Sequence, residues 1–347
     1  FMLMVQHKAP HRNWMPALRH LDLYADQDLP EPPTLFDQWK DNAPPARHQE
    51  LEIDRHMDLN YDLFVDLTPE YNQPASQKRQ DRSAWHNMKR MTEEQLKAWR
   101  RAYGPRDAAF HKSNLKGKDL VRWKFQRYAK NYLRCVKGVD ESIGRLQKTL
   151  NELGLDENTV VIYSSDQGFY IGDHGWYDKR WMYEESLMMP FIVKWPSITK
   201  PGSRDKHLIQ NIDYAETFLE IAGAPVPNDM QGRSLVPLLK GRSPDNWRDS
   251  IYYHYYEYPS VHMIPRHYGI RTQRYKLMHF YQFGDEWELY DLKKDPDELN
   301  NTYGKPEHTK LQKRIKNRLT KLQNHYEDNS NISEKPDDWK VKMRNKK

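Results

Sequence analysis

Two separate loops carry residue types suited to a reaction on an anionic ester. The first loop spans residues 6–11, QHKAPH, and the second loop spans residues 164–180. Two imidazoles and an ammonium group in the first loop offer a general acid and a contact for an anion. In the second loop, Asp166 and Gln167 offer the hard oxygen ligands that Ca²⁺ or Mg²⁺ prefers, and Lys179 offers a point charge for an anionic oxygen. Together the two loops predict a metal-assisted reaction on an anionic ester.

Each loop also has a plainer structural explanation. A single histidine is more often structural than catalytic, and a glycine-rich segment containing an aspartate is equally typical of a capped surface loop. The glycines of the second loop are expected to let the backbone turn sharply; they are Gly168, Gly172 and Gly175. His174 is expected to fix its loop by a hydrogen bond, and at least one of Trp176 and Trp181 to pack in the core. The catalytic interpretation rests on the two loops taken together.

The loops must be positioned by neighbouring strands and helices. Phe1–Val5 predicts a short buried strand before the first loop, and Thr159–Tyr163 predicts a buried parallel strand before the second loop. Between them, apolar residues recur every three or four positions from Asp119 to Leu153, which predicts an amphipathic helix terminated by Gly154. Ligands bind beyond the carboxyl ends of strands in an open α/β sheet, so we expect the two loops to converge there.

The rest of the chain predicts a partial α/β domain over residues 1–245, with a long polar insertion at about 30–117. A C-terminal α+β subdomain is predicted over residues 246–330 and a basic tail over residues 331–347. The individual elements predicted are a helix at Thr92–Tyr103, a strand at Phe191–Trp195, helices at Asp213–Ala222 and Ser234–Leu239, antiparallel strands at Ile251–His254, Tyr268–Arg271, Tyr275–Met278 and Trp287–Asp291, and a helix at Thr309–Tyr326.

Composition excludes several classes of function. The net charge is +6 and no basic stripe stands clear of acidic neighbours, so a nucleic-acid partner is not expected. No apolar stretch reaches the roughly 18 to 20 residues of a membrane-spanning helix. Cys135 is the single cysteine, which excludes an internal disulfide and a cysteine-based zinc site. The 22 Tyr and 11 Trp residues argue against a disordered chain and are suited to a sugar-facing cleft as well as to a core.

The order of these motifs resembles the type I sulfatases over nearly the whole chain. Residues 1–11 resemble the strand and APH loop of that family. The family's second metal and sulfate motif is similar to residues 165–168 and 172–175, Lys179 and residues 183–185. The later core of the family is similar to residues 211–213, 217–219, 222–223 and 231–235. The resemblance implies an α/β, alkaline-phosphatase-like sandwich with a smaller C-terminal antiparallel subdomain. It also implies Ca²⁺-assisted hydrolysis of sulfate esters by formylglycine, which is made from Cys or Ser in a C/S-x-P-S-R motif.

The resemblance assigns roles to four residues. Asp166 and Gln167 resemble the distal pair of calcium ligands. Lys179 resembles the lysine that bridges the sulfate and the leaving oxygen. His11 resembles the histidine that protonates the departing alcohol. These roles are implied by the family motifs, and spacing alone assigns none of them.

Three family motifs are absent from the sequence. There is no C/S-x-P-S-R sequence, and Cys135 lies inside a predicted helix. The Asp-Asp pair after an early strand and the Gly-Lys-x-His segment are also missing. We expect all three motifs to precede Phe1. The chain is therefore interpreted as the C-terminal part of a sulfatase, and is predicted to be inactive by itself.

Residues 253–271 resemble bacterial sulfatases that act on 6-sulfated N-acetylglucosamine in host glycans such as heparan sulfate and mucin. By that resemblance Asp178, Arg180 and His267 contact sugar hydroxyls. An equally weighted alternative is that Asp178 and Arg180 form an ordinary ion pair while His267 packs in the small sheet. The resemblance also implies a periplasmic or extracellular location.

Two other functions stay open on the sequence alone. One is a phosphodiesterase or phosphonate hydrolase of the same superfold, which Gln167 beside Asp166 disfavours because a neutral amide suits calcium better than a pair of transition metals. The other is a non-catalytic glycan-binding relative.

Overall fold

The computed structural model describes residues 1–66, 87–282 and 284–328, which form two compact units. The first unit comprises residues 1–37, 51–156 and 170–178, and the second comprises residues 38–50, 157–169 and 179 onward. The α-helices are α1 (Glu93–Ser113), α2 (Gly117–Glu152), α3 (Glu184–Leu187), α4 (Asp213–Ile221), α5 (Val236–Leu239) and α6 (Thr309–His325). The strands are β1 (Val161–Ser164), β2 (Tyr170–Ile171), β3 (Tyr177–Asp178), β4 (Phe191–Lys194), β5 (Ser250–Tyr255), β6 (His267–Thr272), β7 (Tyr275–Phe280) and β8 (Glu286–Asp291). Short 3₁₀ helices lie at Leu18–His20, Pro44–Arg47, Asp156–Asn158, Asp173–Gly175, Val261–Met263 and Pro306–His308.

The long helix predicted from hydrophobic periodicity is confirmed as α2, which organises the first unit. Its buried face includes Val121, Phe125 and Tyr128. Lys124 lies on the same face, and its Nζ donates hydrogen bonds of 2.7 to 3.1 Å to three backbone carbonyls of residues 53–57. The buried ammonium group therefore holds this segment against the helix, since the three carbonyls replace its lost hydration.

Helix α1 is longer than the predicted segment Thr92–Tyr103. It begins with a capping box between Thr92 and Gln95, and it continues past Pro105 to Ser113. Beyond the proline, Asp107 forms a buried ion pair of 2.8 Å with Arg127 of α2. This contact holds the second half of α1 in place despite the backbone donor that proline lacks. Residues 67–86 of the predicted insertion lie outside the described residues.

The strand predicted at Phe1–Val5 is wrong. These five residues have no regular secondary structure, and their side chains are 46% to 99% exposed. A strand requires a neighbouring strand for its backbone donors and acceptors. None of the strand pairings among the described residues includes this segment.

The direction predicted for β1 is also wrong. It pairs antiparallel with β4, with Val161 opposite Lys194 and Ser164 opposite Phe191, and it is half-buried. One face of the pair packs on α4, where the ring of Phe191 stacks on Tyr214 at 5.1 Å between centroids. A run of β-branched residues indicates a strand but not the direction of its partner.

The antiparallel C-terminal strands and the closing helix are confirmed. The four strands lie in the order β5-β6-β7-β8 with every neighbouring pair antiparallel, and α6 packs on β5 and β6. The core between them is formed by Ile270, Leu277, Leu289, Ile315 and Leu319.

The predicted domain boundaries stay predictions, and the predicted tail at 331–347 lies outside the described residues. Over the described ranges, no helix combines the length and the apolar run needed to cross a bilayer.

Candidate active site

The first loop is anchored to α2 and leaves His11 at the surface. Trp14 is fully buried, packs on Tyr128 at 4.6 Å between ring centroids, and donates from its indole nitrogen to the carbonyl of Pro10 at 2.9 Å. The Nδ1 atom of His11 lies 2.9 Å from the carbonyl oxygen of Arg12. Because a carbonyl can only accept, Nδ1 is the donor in this contact, and Nε2 is not engaged by it.

An arginine that no sequence motif singled out joins the two loops within the first unit. The guanidinium of Arg12 lies 2.6 Å from the carboxylate of Asp62 and 4.0 Å from that of Asp178. It also lies over the rings of Tyr61 and Tyr177 at 4.7 and 5.5 Å from their centroids. Burial raises the pKa of Asp62 to about 6, while the positive charge of Arg12 acts in the opposite direction. Arg12, the residue after the first loop, therefore lies near Asp178 of the second loop.

A two-stranded hairpin positions Asp178. Strands β2 and β3 pair antiparallel, and the turn between them contains His174 and Trp176, both fully buried. The backbone N–H of His174 donates to the hydroxyl of Thr34 at 2.9 Å, and its Nδ1 lies 3.3 Å from a carboxylate oxygen of Asp37. These contacts agree with the loop-fixing role favoured for His174 and with core packing of Trp176. Asp178 ends the hairpin with a φ of 74°, a conformation that L-residues adopt rarely.

The predicted metal ligands follow β1 in the second unit. Asp166 is exposed, and its Oδ1 accepts a hydrogen bond of 3.3 Å from Ser165. Gln167 is half-buried, and the N–H of Gly168 donates to the carbonyl of Ser186 in α3 at 2.9 Å. A Cβ at Gly168 would lie 2.0 Å from the carbonyl oxygen of Glu185. Only glycine allows the loop to approach α3 this closely.

Helix α3 also holds Arg180. The N–H of Arg180 donates to the side-chain hydroxyl of Ser186 at 3.0 Å, and the carbonyl of Arg180 accepts from the hydroxyl of Tyr253 at 2.8 Å. Ser186 is 5% exposed. Its carbonyl accepts from the N–H of Gly168, next to Asp166 and Gln167, and its hydroxyl accepts from the N–H of Arg180. No pattern in the sequence pointed to Ser186, and the resemblance of residues 253–271 gave no role to the hydroxyl of Tyr253.

His267 is fully buried in the second unit, within an aromatic cluster. Its ring lies 5.3 to 5.7 Å from the rings of Trp181, Tyr253, Tyr255 and Phe280, measured between centroids. Its Nδ1 lies 2.8 Å from the carbonyl oxygen of Pro265, and burial lowers its pKa to about 4. The imidazole is therefore neutral at physiological pH, with Nε2 as an acceptor. This buried Nε2 has no hydrogen-bond partner among the described residues, and Tyr253 connects the ring to Arg180.

The metal prediction fits the donor types but is incomplete. As predicted ligands, Asp166 and Gln167 would supply two of the six to eight oxygens that Ca²⁺ takes. In residues 1–66, 87–282 and 284–328, no group of three or more His, Cys, Asp and Glu side chains is arranged to hold a metal ion. Lys179 is half-buried, with its Nζ 5.9 Å from the ring centroid of Phe169. The convergence of His11 and Lys179 on one cation and its sulfate stays a prediction.

Comparison with known protein families identifies the family of this chain. Residues 1–224 match the sulfatase family. The chain belongs to the sulfatase family. Residues 172–325 of this sulfatase also match the C-terminal region of N-sulphoglucosamine sulphohydrolase. The resemblance seen in the sequence motifs is confirmed, and members of the family generally use Ca²⁺ and formylglycine.

Individual relatives agree with this assignment. The sulfatase is 46% identical to an N-acetylglucosamine-6-O-sulfatase of Bacteroides thetaiotaomicron over 331 residues, which are 95% of this chain and 58% of that protein. It superimposes with a TM-score of 0.89 and 46% identity on a solved structure, BT4656 in complex with its substrate D-glucosamine-2-N,6-O-disulfate, covering 94% of this chain and 66% of that one. A phosphonate monoester hydrolase from Silicibacter pomeroyi gives a TM-score of 0.55 at 25% identity, with 61% and 43% coverage.

These similarities confirm the predicted alkaline-phosphatase-like fold class. They also define how much of a relative the chain represents. This sulfatase spans 58% of the length of the Bacteroides thetaiotaomicron relative and 66% of the solved structure.

Proposed function

We propose that the protein containing this chain hydrolyses the sulfate ester at O6 of N-acetylglucosamine units in a glycan. The observation that carries the proposal is the 46% identity to an N-acetylglucosamine-6-O-sulfatase over 95% of the chain. The joining of the two loops at Arg12 and Asp178 supports it, because these residues directly follow His11 and directly precede Lys179. The resemblance further supports export to the periplasm or the cell surface.

The chain supplies an acid for the leaving alcohol and a cation for the sulfate. His11 protonates the departing sugar oxygen through Nε2, since Nδ1 is engaged with the carbonyl of Arg12. Lys179 contacts the sulfate and the leaving oxygen with its ammonium group. Asp166 and Gln167 would hold Ca²⁺, which would neutralise charge on the sulfate oxygens. Formylglycine would supply the nucleophile, and this sequence contains no C/S-x-P-S-R motif for it.

Sugar hydroxyls are bound by Asp178, Arg180 and His267. A carboxylate such as that of Asp178 accepts hydrogen bonds from sugar hydroxyls, and a guanidinium such as that of Arg180 donates them. The neutral imidazole of His267 accepts through Nε2, the buried atom that has no partner in the described part of the chain. A buried acceptor without a donor costs free energy, and a substrate hydroxyl would remove that cost.

The test is sulfate release by the complete enzyme from 6-sulfated N-acetylglucosamine, compared with isomers sulfated at other positions. His11→Ala is expected to lower kcat by about 10²- to 10⁴-fold, the usual contribution of a general acid. Asp140→Asn is the matched control, because Asp140 is exposed on α2 and pairs with Lys137 at 2.8 Å. Equal rates for His11→Ala and the wild type would refute the acid role. This chain by itself is expected to release no sulfate, and measurable release would contradict that expectation.

The same assays separate the alternative functions. Phosphonate monoester hydrolysis is a second candidate, favoured by the structural similarity to the Silicibacter pomeroyi enzyme. A higher kcat/KM for an aryl phosphonate monoester than for the sulfated sugar would establish it. Binding of the sulfated sugar with no turnover by the complete protein would instead establish a non-catalytic glycan-binding role.

A further inference from the structure

We propose that Ser186 and Tyr253 are positioning residues that hold the backbone of Arg180, and thereby aim its guanidinium at the sugar. The inference rests on the proposed sugar contact of Arg180. It concerns Ser186, which no sequence motif singled out, and Tyr253, to which the resemblance of residues 253–271 gave no role.

The backbone of Arg180 has a conformation that its own side chain disfavours. Its φ is 102°, in the region that L-residues rarely adopt and that glycine adopts readily. A non-glycine residue stays in such a conformation only where its surroundings determine it, and such residues cluster at functional sites. Some contact must therefore hold Arg180.

Two hydrogen bonds hold both ends of this residue. Its N–H donates to the Ser186 hydroxyl at 3.0 Å, and its carbonyl accepts from the Tyr253 hydroxyl at 2.8 Å. Ser186 is buried, so water does not compete freely for its oxygen. Burial raises the pKa of Tyr253, which keeps its hydroxyl protonated as a donor throughout the physiological pH range.

The same contacts link the two parts of the site that lie in the second unit. The carbonyl of Ser186 accepts from the N–H of Gly168, so α3 connects Arg180 to the loop of Asp166 and Gln167. Tyr253 packs on His267 at 5.7 Å between ring centroids, which connects Arg180 to the second proposed sugar ligand. Ser186 and Tyr253 therefore fix Arg180 relative to both groups. A binding group must be held within about half an ångström of its productive geometry by such supporting contacts.

The test uses Ser186→Ala and Tyr253→Phe in the complete enzyme. Each change removes one hydroxyl and little volume. We expect KM for the 6-sulfated sugar to rise by about 3- to 10-fold in each variant, with kcat within about 2-fold of the wild type. The matched controls are Ser250→Ala and Tyr252→Phe, whose hydroxyls bond to Arg318 and Asp328 respectively. Both controls are expected to keep KM.

A second set of variants distinguishes this inference from the proposed function. Arg180→Ala is expected to raise KM, and adding Ser186→Ala or Tyr253→Phe to it is expected to raise KM by less than about 2-fold more. If Arg180→Ala raises KM but the two other changes raise it equally with and without the arginine side chain, the positioning role is overturned and the sugar contact stands. If Arg180→Ala leaves KM unchanged, the sugar contact itself is overturned, and the positioning role with it.

Discussion

Replacing Gly168 with alanine tests whether the loop that contains Asp166 and Gln167 packs directly on α3. The added Cβ would lie 2.0 Å from the carbonyl oxygen of Glu185 and 2.3 Å from that of Met188. A carbon and an oxygen in contact are separated by about 3.3 Å, so the loop and the helix must move apart by about 1 Å. Both blocking atoms belong to the backbone, which cannot rotate away as a side chain can.

The displacement has a calculable effect on activity and stability. Asp166 and Gln167 directly precede Gly168 and would move with it. Misplacement of catalytic groups by about 1 Å costs about 100-fold, so we expect kcat/KM of the complete enzyme to fall by roughly that factor. The half-saturating calcium concentration is expected to rise as well. Overpacking of this kind lowers the free energy of unfolding by about 1 to 3 kcal/mol.

The matched control is Gly144→Ala in α2. A Cβ there meets nothing within 4 Å, and alanine favours the helix by about 0.5 to 1 kcal/mol over glycine. Thermal unfolding by circular dichroism and sulfate release measure the two effects. We expect Gly144→Ala to raise the melting temperature at unchanged kcat/KM. If Gly168→Ala kept both its melting temperature and its kcat/KM, the close packing of the loop on α3 would be refuted.

Three further predictions concern buried groups. Lys124→Met is expected to lower the free energy of unfolding by about 2 to 4 kcal/mol, because three carbonyls lose their donor, and urea unfolding should show a smaller effect for the exposed Lys148→Met. Folding lowers the pKa of His267 from 6.5 to about 4, so between these pH values the unfolded chain binds a proton that the folded chain does not. As the pH falls across that range, the free energy of unfolding of the wild type, relative to that of His267→Gln, is therefore expected to decrease by up to about 3 kcal/mol. Urea titrations at several pH values measure this difference. Burial raises the pKa of Cys135 to about 12, so iodoacetamide is expected to label this thiol at pH 8 only after denaturation, and labelling of the native protein would contradict its burial.

Local patterns in the sequence predicted the elements whose stability arises from neighbouring residues. The periodicity of α2 marks its buried face because one face of a helix repeats every three to four residues. The C-terminal strands were also found, because they are joined in order and pair with their neighbours. The direction of β1 was not predictable, since its partner β4 begins only after the β2–β3 hairpin and α3 have intervened. Phe1–Val5 failed for a related reason: an apolar run indicates burial only where a partner strand exists.

For the candidate site, the sequence likewise indicated residue types but not the contacts that position them. His11, Asp166 and Lys179 could be predicted as site residues from the sequence because a motif records side-chain types, and these predictions stay predictions. The hydrogen bonds of Ser186 and Tyr253 were missed because they are made to the backbone of Arg180, and the Tyr253 bond spans 73 positions in the chain. A serine and a tyrosine in these roles look like any others in the sequence.

Gly168 gives the clearest physical example of this limit. All three glycines of the second loop were expected to be turning points, which holds for Gly172 and Gly175 with φ of 95° and 70°. Gly168 has no left-handed backbone; it is glycine because the carbonyls of α3 occupy the space of a Cβ. One letter in the sequence thus represents two different requirements, a turn and a close approach. At Gly168 the obstacle to a side chain is the backbone, because the carbonyl oxygens of Glu185 and Met188 lie 2.0 and 2.3 Å from the Cβ position. At Gly172 the obstacles are the positive φ, which L-residues rarely adopt, and the ring of Phe125 at 2.8 Å.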